Sequence, residues 1–319
     1  GYIEFENFEG EKEKLAYSSK VTTKAGRVTF AGDLREGEDV KRIVDIKPTS
    51  EVSLCSLAGI IVCNVESEEQ YELAAYYALK MISKCIHMSD YALPHVGWTA
   101  KQRMNAGVGL VGVAYEMAKK GLRYDTKEGL EELHRMAERH SYYLIKASLR
   151  IAKETQVAPW MHKTKWPEGW LPIDTYKKNV DNIVNLPLQY DWEQLRAEII
   201  ENGGIAQSSL VAHMPTESSS KAAGVPNGIY PIRELFIKKS DQSSIIDWVA
   251  IDGDILEDKY QSAWSISTRD MIKAYAVFQK FADQSISADT YEDRTKNINV
   301  SDTKMVEDYL DMIRYGMKS

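Results

Sequence analysis

Apolar and polar positions along the chain change period several times, and each change marks an element. Residues 1 to about 46 are charged, interrupted by glycine, and carry only short alternating runs such as Arg27 to Phe30. They predict a tail with a hairpin at most. From Glu51 onward the pattern is strand then helix, repeated, which predicts an α/β protein built on parallel strands. Leu73, Tyr77 and Met81, with Ala74, Ala78 and Ile82 beside them, recur at a spacing of four, and Glu68, Glu69 and Glu72 favour the N-terminal end of that helix. The small apolar run from Asn105 to Val113 predicts a buried strand feeding a helix that stops at Gly121.

A longer helix is expected from about Lys127 to Glu154, where Leu130, Leu133, Ala137, His140, Leu144, Ala147 and Ile151 form one stripe. His140 is therefore a packing residue. Asp191 followed by Gln194 resembles a capping box, Trp192, Leu195 and Ile199 give the apolar face, and Gly203 closes that helix. Ser208 to Met214 reads as a short apolar strand, broken by Pro215 before a turn into another helix. The last third predicts a helix from Thr268 to Phe281, a strand-like segment from Gln284 to Ala288 and a helix from Ser301 to Tyr315.

With 319 residues, 44% hydrophobic and 27% charged, the chain can bury one large core or two modest ones. A net charge of −7 argues against a nucleic-acid or anionic-membrane surface, which selects for clustered Lys and Arg. No apolar run approaches the roughly 18 residues of a membrane span, and the Glu- and Lys-rich N-terminus lacks the apolar stretch of a signal peptide, so a cytoplasmic location is expected. Three cysteines (Cys55, Cys63 and Cys85) are too few and too odd in number for a disulfide framework. The six histidines show no metal-ligand spacing. Gly107, Gly109 and Gly112 lack a sugar-binding acid at a suitable distance and read as tight packing in a barrel strand. Tyr142 and Tyr143, adjacent on a helix, point in different directions and are not read as a radical relay.

Two stretches could carry chemistry. In Thr216 to Ser220, hydroxyls and the free amides of a helix N-terminus follow a strand, an arrangement that suits a phosphate. Composition alone favours plain caps and a solvated loop there. Cys55 lies in Val52-Ser53-Leu54-Cys55-Ser56-Leu57, a strand-end segment in which it could equally be an ordinary buried cysteine.

Seven segments in order resemble the large subunit of class I ribonucleotide reductases, particularly the bacterial and T4-like phage branch. They are Glu51 to Leu57, Gly107-Val108-Gly109, Leu171-Pro172-Ile173-Asp174-Thr175-Tyr176-Lys177-Lys178, Tyr190-Asp191-Trp192, Met214-Pro215-Thr216-Glu217-Ser218-Ser219-Ser220, Asn227-Gly228-Ile229 and Phe281-Ala282-Asp283-Gln284-Ser285-Ile286-Ser287. The resemblance implies a ten-stranded α/β barrel of two half-barrels, of which residues 47–319 are the second, completed by another chain. It assigns Cys55 as a redox cysteine that forms a disulfide with a cysteine of the partner fragment. Thr216, Glu217, Ser218 and Ser219 match the substrate diphosphate loop, with Ser220 at its border. Tyr230 stands where many relatives have Glu.

The Asn-x-Cys-x-Glu motif of the thiyl cysteine, expected shortly before Cys55, is not found in residues 1–50. The poorly matched residues 1–46 resemble a gene split of the kind found in T4-like phages, and the family would continue beyond Ser319 into radical-transfer tyrosines and a cysteine-bearing tail. The expected partners are the N-terminal fragment, a small radical-generating subunit with a metal cofactor, a ribonucleoside diphosphate, and a thioredoxin- or glutaredoxin-type reductant. The dNTP and ATP effectors belong on the N-terminal fragment, and no cofactor is expected on this chain. The rival readings are a non-catalytic half-barrel remnant and a free-standing phosphate-binding module; retention of both Cys55 and the hydroxyl loop argues against the remnant.

Overall fold

The computed structural model describes residues 2–6, 12–16, 20–23, 27–34, 40–43, 51–240, 245–291 and 301–318. The N-terminal region holds more than one hairpin. Strands β1 (Tyr2–Glu6) and β2 (Lys12–Ala16) pair antiparallel, and β3 (Lys20–Thr23), β4 (Val28–Phe30) and β5 (Val40–Ile43) form a second antiparallel sheet in the order β4-β3-β5. The β-branched residues Val21, Thr22, Thr23, Val28 and Thr29 favour extended backbone even in such short runs, and Val21 is buried.

The parallel layer begins at β6 (Ser56–Ile61), which pairs in register with β7 (Ala106–Val111), Ser56 opposite Ala106 and Ile61 opposite Val111. Between them the chain passes through α1 (Glu68–Met88) and α2 (Pro94–Arg103). Residues 209–212 run parallel along the other side of β7. The amides of Ala106 and Val108 donate to the carbonyls of Ser209 and Leu210 at 3.0 and 2.7 Å, and the Ala212 amide donates to Val108 at 3.2 Å. The expected strand from Ser208 to Met214 thus pairs at a single bridge, Val108 to Val211. Gln284 to Ala288 likewise pairs only at Ser287 with Lys318. Among the described residues the parallel sheet is open, and no closed barrel forms.

The helices follow their sequence signals closely. Helix α3 (Val113–Lys120) ends at Gly121, whose φ of 64° is left-handed backbone that glycine adopts without strain. Helix α4 spans Lys127–Glu154, and its predicted stripe is buried throughout. The four-residue α5 (Pro172–Thr175) is held by Asp174, which accepts from the Leu171 amide at 2.8 Å and pairs with Arg196. In α6 (Trp192–Asn202), Asp191 caps the Gln194 amide at 2.9 Å and Gly203 ends the helix. After α7 (Glu217–Ala223) come the hairpin β8 (Phe236–Ser240) and β9 (Ile245–Val249), then α8 (Thr268–Gln279) and α9 (Asp302–Arg314).

Helix α1 presents its other face to the core. Tyr71, Ala75, Leu79, Ile82 and Ile86 are buried, whereas Leu73, Tyr77 and Met81 are 48%, 54% and 67% exposed. Packing on α4 and β6 selects the stripe that includes Tyr71, because its phenol reaches His140 Nδ1 at 2.8 Å in the interior. His140 is fully buried, as a packing residue should be.

Candidate active site

Cys55 ends the lead-in to β6, where a polar belt ties three strand starts together. Asn105 Nδ2 donates to Ser53 Oγ at 2.7 Å and to the Leu54 carbonyl at 3.2 Å, while Ser209 Oγ donates to the Ala106 carbonyl at 3.0 Å. The sulfur remains open to solvent on one side. On the other side it leans over Gly107: a Cβ at that position would stand 2.8 Å from Cys55 Sγ, 2.7 Å from Leu57 Cδ2 and 3.1 Å from Ala212 Cβ. A side chain here would have to push aside the Leu57 and Cys55 tips and would press on Ala212, so Gly107 is where the sulfur and the neighbouring backbone come close. Desolvation pushes the Cys55 thiol up to about 11, the charge of Asp283 adds to this, and a hydrogen bond with Ser209 opposes it.

The second stretch starts where residues 209–214 end. Pro215 interrupts the extended backbone, and Ser220 donates its amide to the Thr216 carbonyl at 2.7 Å, opening α7. The first amides of a helix have no partner within it. Ser218 and Ser219 are exposed beside them, and Ser220 is buried. The Thr216 hydroxyl is engaged inside the loop: it donates to Asn227 Oδ1 at 2.9 Å and accepts from the Gly228 amide at 3.0 Å. Asn227 Nδ2 also holds Glu217 Oε1 at 3.2 Å, and Arg233 lies 4.0 Å from the same oxygen. The Glu217 carboxylate is thus directed toward Asn227 and a cation.

The two stretches meet the same strand. A Cβ on Gly59 would lie 3.9 Å from Thr216 Cγ2, so the hydroxyl loop arches over the late part of β6 while Cys55 precedes its start. Gly59 lies four residue steps along the strand from Cys55, about 13 Å. Cys55, Leu57 and Gly59 alternate onto the sheet face opposite Ile60, which is buried in the core. Leu57 is 58% exposed on that face.

Two residues that had been matched only as parts of motifs prove to organise the site. Asn227 is the hub of the loop. Asp283 Oδ2 and Oδ1 accept the amides of Leu210 and Val211 at 2.8 and 2.7 Å, fixing the segment between Ser209 and Ala212. A carboxamide before glycine and an aspartate beside a buried Phe281 were the available signals, but neither names a distant backbone partner. Tyr230 is buried and donates to the Ser287 carbonyl at 3.3 Å. Tyr142 and Tyr143 both contact the Tyr190 ring, at 4.5 and 5.5 Å between centroids. Among the described residues no group of three or more metal-ligating side chains assembles, and no helix is long and apolar enough to cross a membrane.

A family model described as the barrel domain of ribonucleotide reductase matches residues 41–319. The chain belongs to this family. It is 34% identical over 272 residues to the ribonucleoside-diphosphate reductase subunit alpha of Haemophilus influenzae, covering 84% of this chain and 36% of that protein. Against the ribonucleoside-diphosphate reductase 1 subunit alpha of Escherichia coli it is 39% identical over 233 residues, 72% of this chain and 30% of the relative. The corresponding subunit of Enterobacteria phage T4 is 32% identical over 281 residues, 85% of this chain and 36% of the relative. The chain therefore spans about a third of the length of these curated relatives. Within the reductase barrel family, both Cys55 and the Thr216 loop fall in the matched region.

Proposed function

We propose that this chain forms part of the catalytic barrel of a ribonucleoside-diphosphate reductase, with Cys55 as one of two reducing thiols and residues 216–219 as the seat of the substrate diphosphate. The observation that carries this reading is the placement of Cys55 and the hydroxyl loop toward opposite ends of β6, on the glycine-lined side of the sheet. An extended nucleotide can bridge that span, with its phosphates on the α7 amides and the Ser218 and Ser219 hydroxyls, and its ribose toward the sulfur. Thr216 holds the loop in shape, since its hydroxyl is already paired.

In the reduction, the 2′ hydroxyl of the ribose leaves as water and is replaced by hydrogen. Cys55 and a second thiol each give up one electron and one proton and join as a disulfide, so that a ribonucleotide and two thiols become a deoxyribonucleotide, a disulfide and water. An external dithiol then restores both thiols by exchange. The thiyl radical that starts the reaction arises on another cysteine, because none of Cys55, Cys63 and Cys85 lies in an Asn-x-Cys-x-Glu sequence. That cysteine, the second reducing thiol and the effector sites come from polypeptide outside these residues. The radical itself comes from a small subunit with a metal cofactor. The completing segment covers the exposed Leu57 and the edge of β6 that no strand pairs with among the described residues, as an edge of a parallel sheet requires.

The test is reconstitution. The chain is mixed with a fragment carrying the Asn-x-Cys-x-Glu motif, with small subunit, effector, dithiol and a ribonucleoside diphosphate, and deoxyribonucleotide is measured. Turnover that needs every component and is abolished by Cys55→Ser supports the proposal. A chain that stays monomeric beside that fragment and supports no reduction is a remnant or a binding module instead.

A further inference from the structure

Asp283 lies far from Cys55 in sequence, on the segment that follows α8. Phe281 anchors this segment against the rings of His134 and Trp192, at 4.9 and 6.4 Å between centroids. From there the two oxygens of Asp283 each take one of two consecutive amides, those of Leu210 and Val211. The residue just before this pair, Ser209, bonds the Ala106 carbonyl and lies 3.4 Å from Asn105 Oδ1, whose amide nitrogen holds the Leu54 carbonyl next to Cys55; the residue just after it, Ala212, crowds Gly107 together with the sulfur, 3.1 and 2.8 Å from the place of a Cβ there. One carboxylate thus fixes a stretch of chain that reaches the neighbourhood of Cys55 at both ends, through the Ser209–Asn105 belt and through Ala212 at Gly107.

We propose that Asp283 is a positioning residue for Cys55, seating residues 209–212 against the sulfur and presenting a fixed negative charge to it. The charge disfavours a thiolate at Cys55, and the Ser209 hydroxyl favours one. Asp283 is the charged group that acts on the sulfur; Glu51, on the same lead-in segment, is paired with Arg103 and Lys163. The consequence is a thiol that keeps its proton at neutral pH, resists adventitious alkylation and can contribute both a proton and an electron when it is oxidised. The role in turnover rests on the reading of Cys55 as a reducing thiol, but the effect on the sulfur does not.

Alkylation of the full chain by iodoacetamide, followed cysteine by cysteine by peptide mass spectrometry between pH 7 and 9.5, tests the relationship directly. Asp283→Asn should speed labelling of Cys55 about threefold or more, because removing the charge favours the thiolate. Ser209→Ala should slow it, and Cys63 and Cys85 should keep their native rates in both variants. Simple loosening of the segment predicts faster labelling in both variants, and that result overturns the proposal. So does a Cys55 rate unchanged in Asp283→Asn. Because labelling needs no turnover, opposite shifts in a chain that fails to reconstitute a reductase would sink the proposed function and leave this inference standing.

Discussion

Asn227 Oδ1 accepts both the amide and the hydroxyl of Thr216, at 2.5 and 2.9 Å. One carboxamide therefore joins the Asn227-Gly228-Ile229 turn to the loop proposed to hold the diphosphate, and its other end restrains Glu217. Truncation to Ala removes all three bonds without touching Ser218 or Ser219. A lost hydrogen-bond partner of this kind costs about 1–3 kcal/mol. Asn227→Ala should raise KM for the ribonucleoside diphosphate about tenfold or more in the reconstituted reductase, with a smaller effect on kcat. Steady-state kinetics check it, and an unchanged KM would show that the loop keeps its shape unaided.

Gly107 gives a steric prediction. An added Cβ would displace the tips of Leu57 and Cys55, both exposed and free to move, and press on Ala212 Cβ at 3.1 Å, so the cost falls at or below the low end of about 1–3 kcal/mol for overpacking. Gly107→Ala should lower the urea midpoint of the chain and displace Cys55, changing its alkylation rate. A variant with native stability and a native Cys55 rate would mean that β6 and β7 part easily.

Much of this architecture was legible in the pattern, for identifiable reasons. Helix α4 was read at its observed bounds, because the long stripe from Leu130 to Ile151 leaves one amphipathic solution; the Thr126 cap that starts it shows only in the structure. Helix α1 carries two apolar stripes, and periodicity cannot choose between Leu73-Tyr77-Met81 and Tyr71-Ala75-Leu79; the partner helix decides. Strand character at Ser208–Met214 was visible, but its pairing was not. Asp283, rather than a neighbouring strand, takes the amides of Leu210 and Val211. Cys55 and Thr216 to Ser219 were singled out as candidates in the sequence and received their roles only from the family resemblance, and their common relation to β6 emerged only from the fold. The roles of Asn227 and Asp283 depend on contacts at long or irregular spacing, which no local pattern records.

Asp283 also fixes the sign of one pH effect. Burial raises its carboxyl to about 6 despite the amides of Val211 and Leu210, above the value of about 3.9 for an unfolded Asp. The folded chain therefore holds the extra proton between those values, and this contribution to stability is full below pH 4 and lost as pH rises through 6. Relative to Asp283→Asn, the native chain should lose up to about 3 kcal/mol of urea stability between pH 4 and pH 7. Parallel stability profiles for the two proteins would show that the carboxyl is not desolvated.

His140 yields a prediction about a proton's location. Its Nε2 lies 2.9 Å from the Val108 carbonyl on β7, and a carbonyl can only accept, so Nε2 carries the hydrogen. Nδ1 is then the acceptor for the Tyr71 hydroxyl at 2.8 Å, which joins α1 to α4 and, through the ring, to the central strand. Burial lowers the imidazole to about 4, against the weaker effect of Val108, so it stays neutral where an unfolded histidine begins to protonate. Its contribution is full above pH 6.5 and declines as pH falls toward 4, opposite in sign to that of Asp283. Nitrogen NMR of the ring should report the Nε2–H tautomer unchanged from pH 5.5 to 8. In Tyr71→Phe the buried Nδ1 loses its donor, at a cost of about 1–3 kcal/mol. A resonance that titrates near 6.5 in the native chain would mean that the Tyr71 and Val108 bonds do not hold the ring.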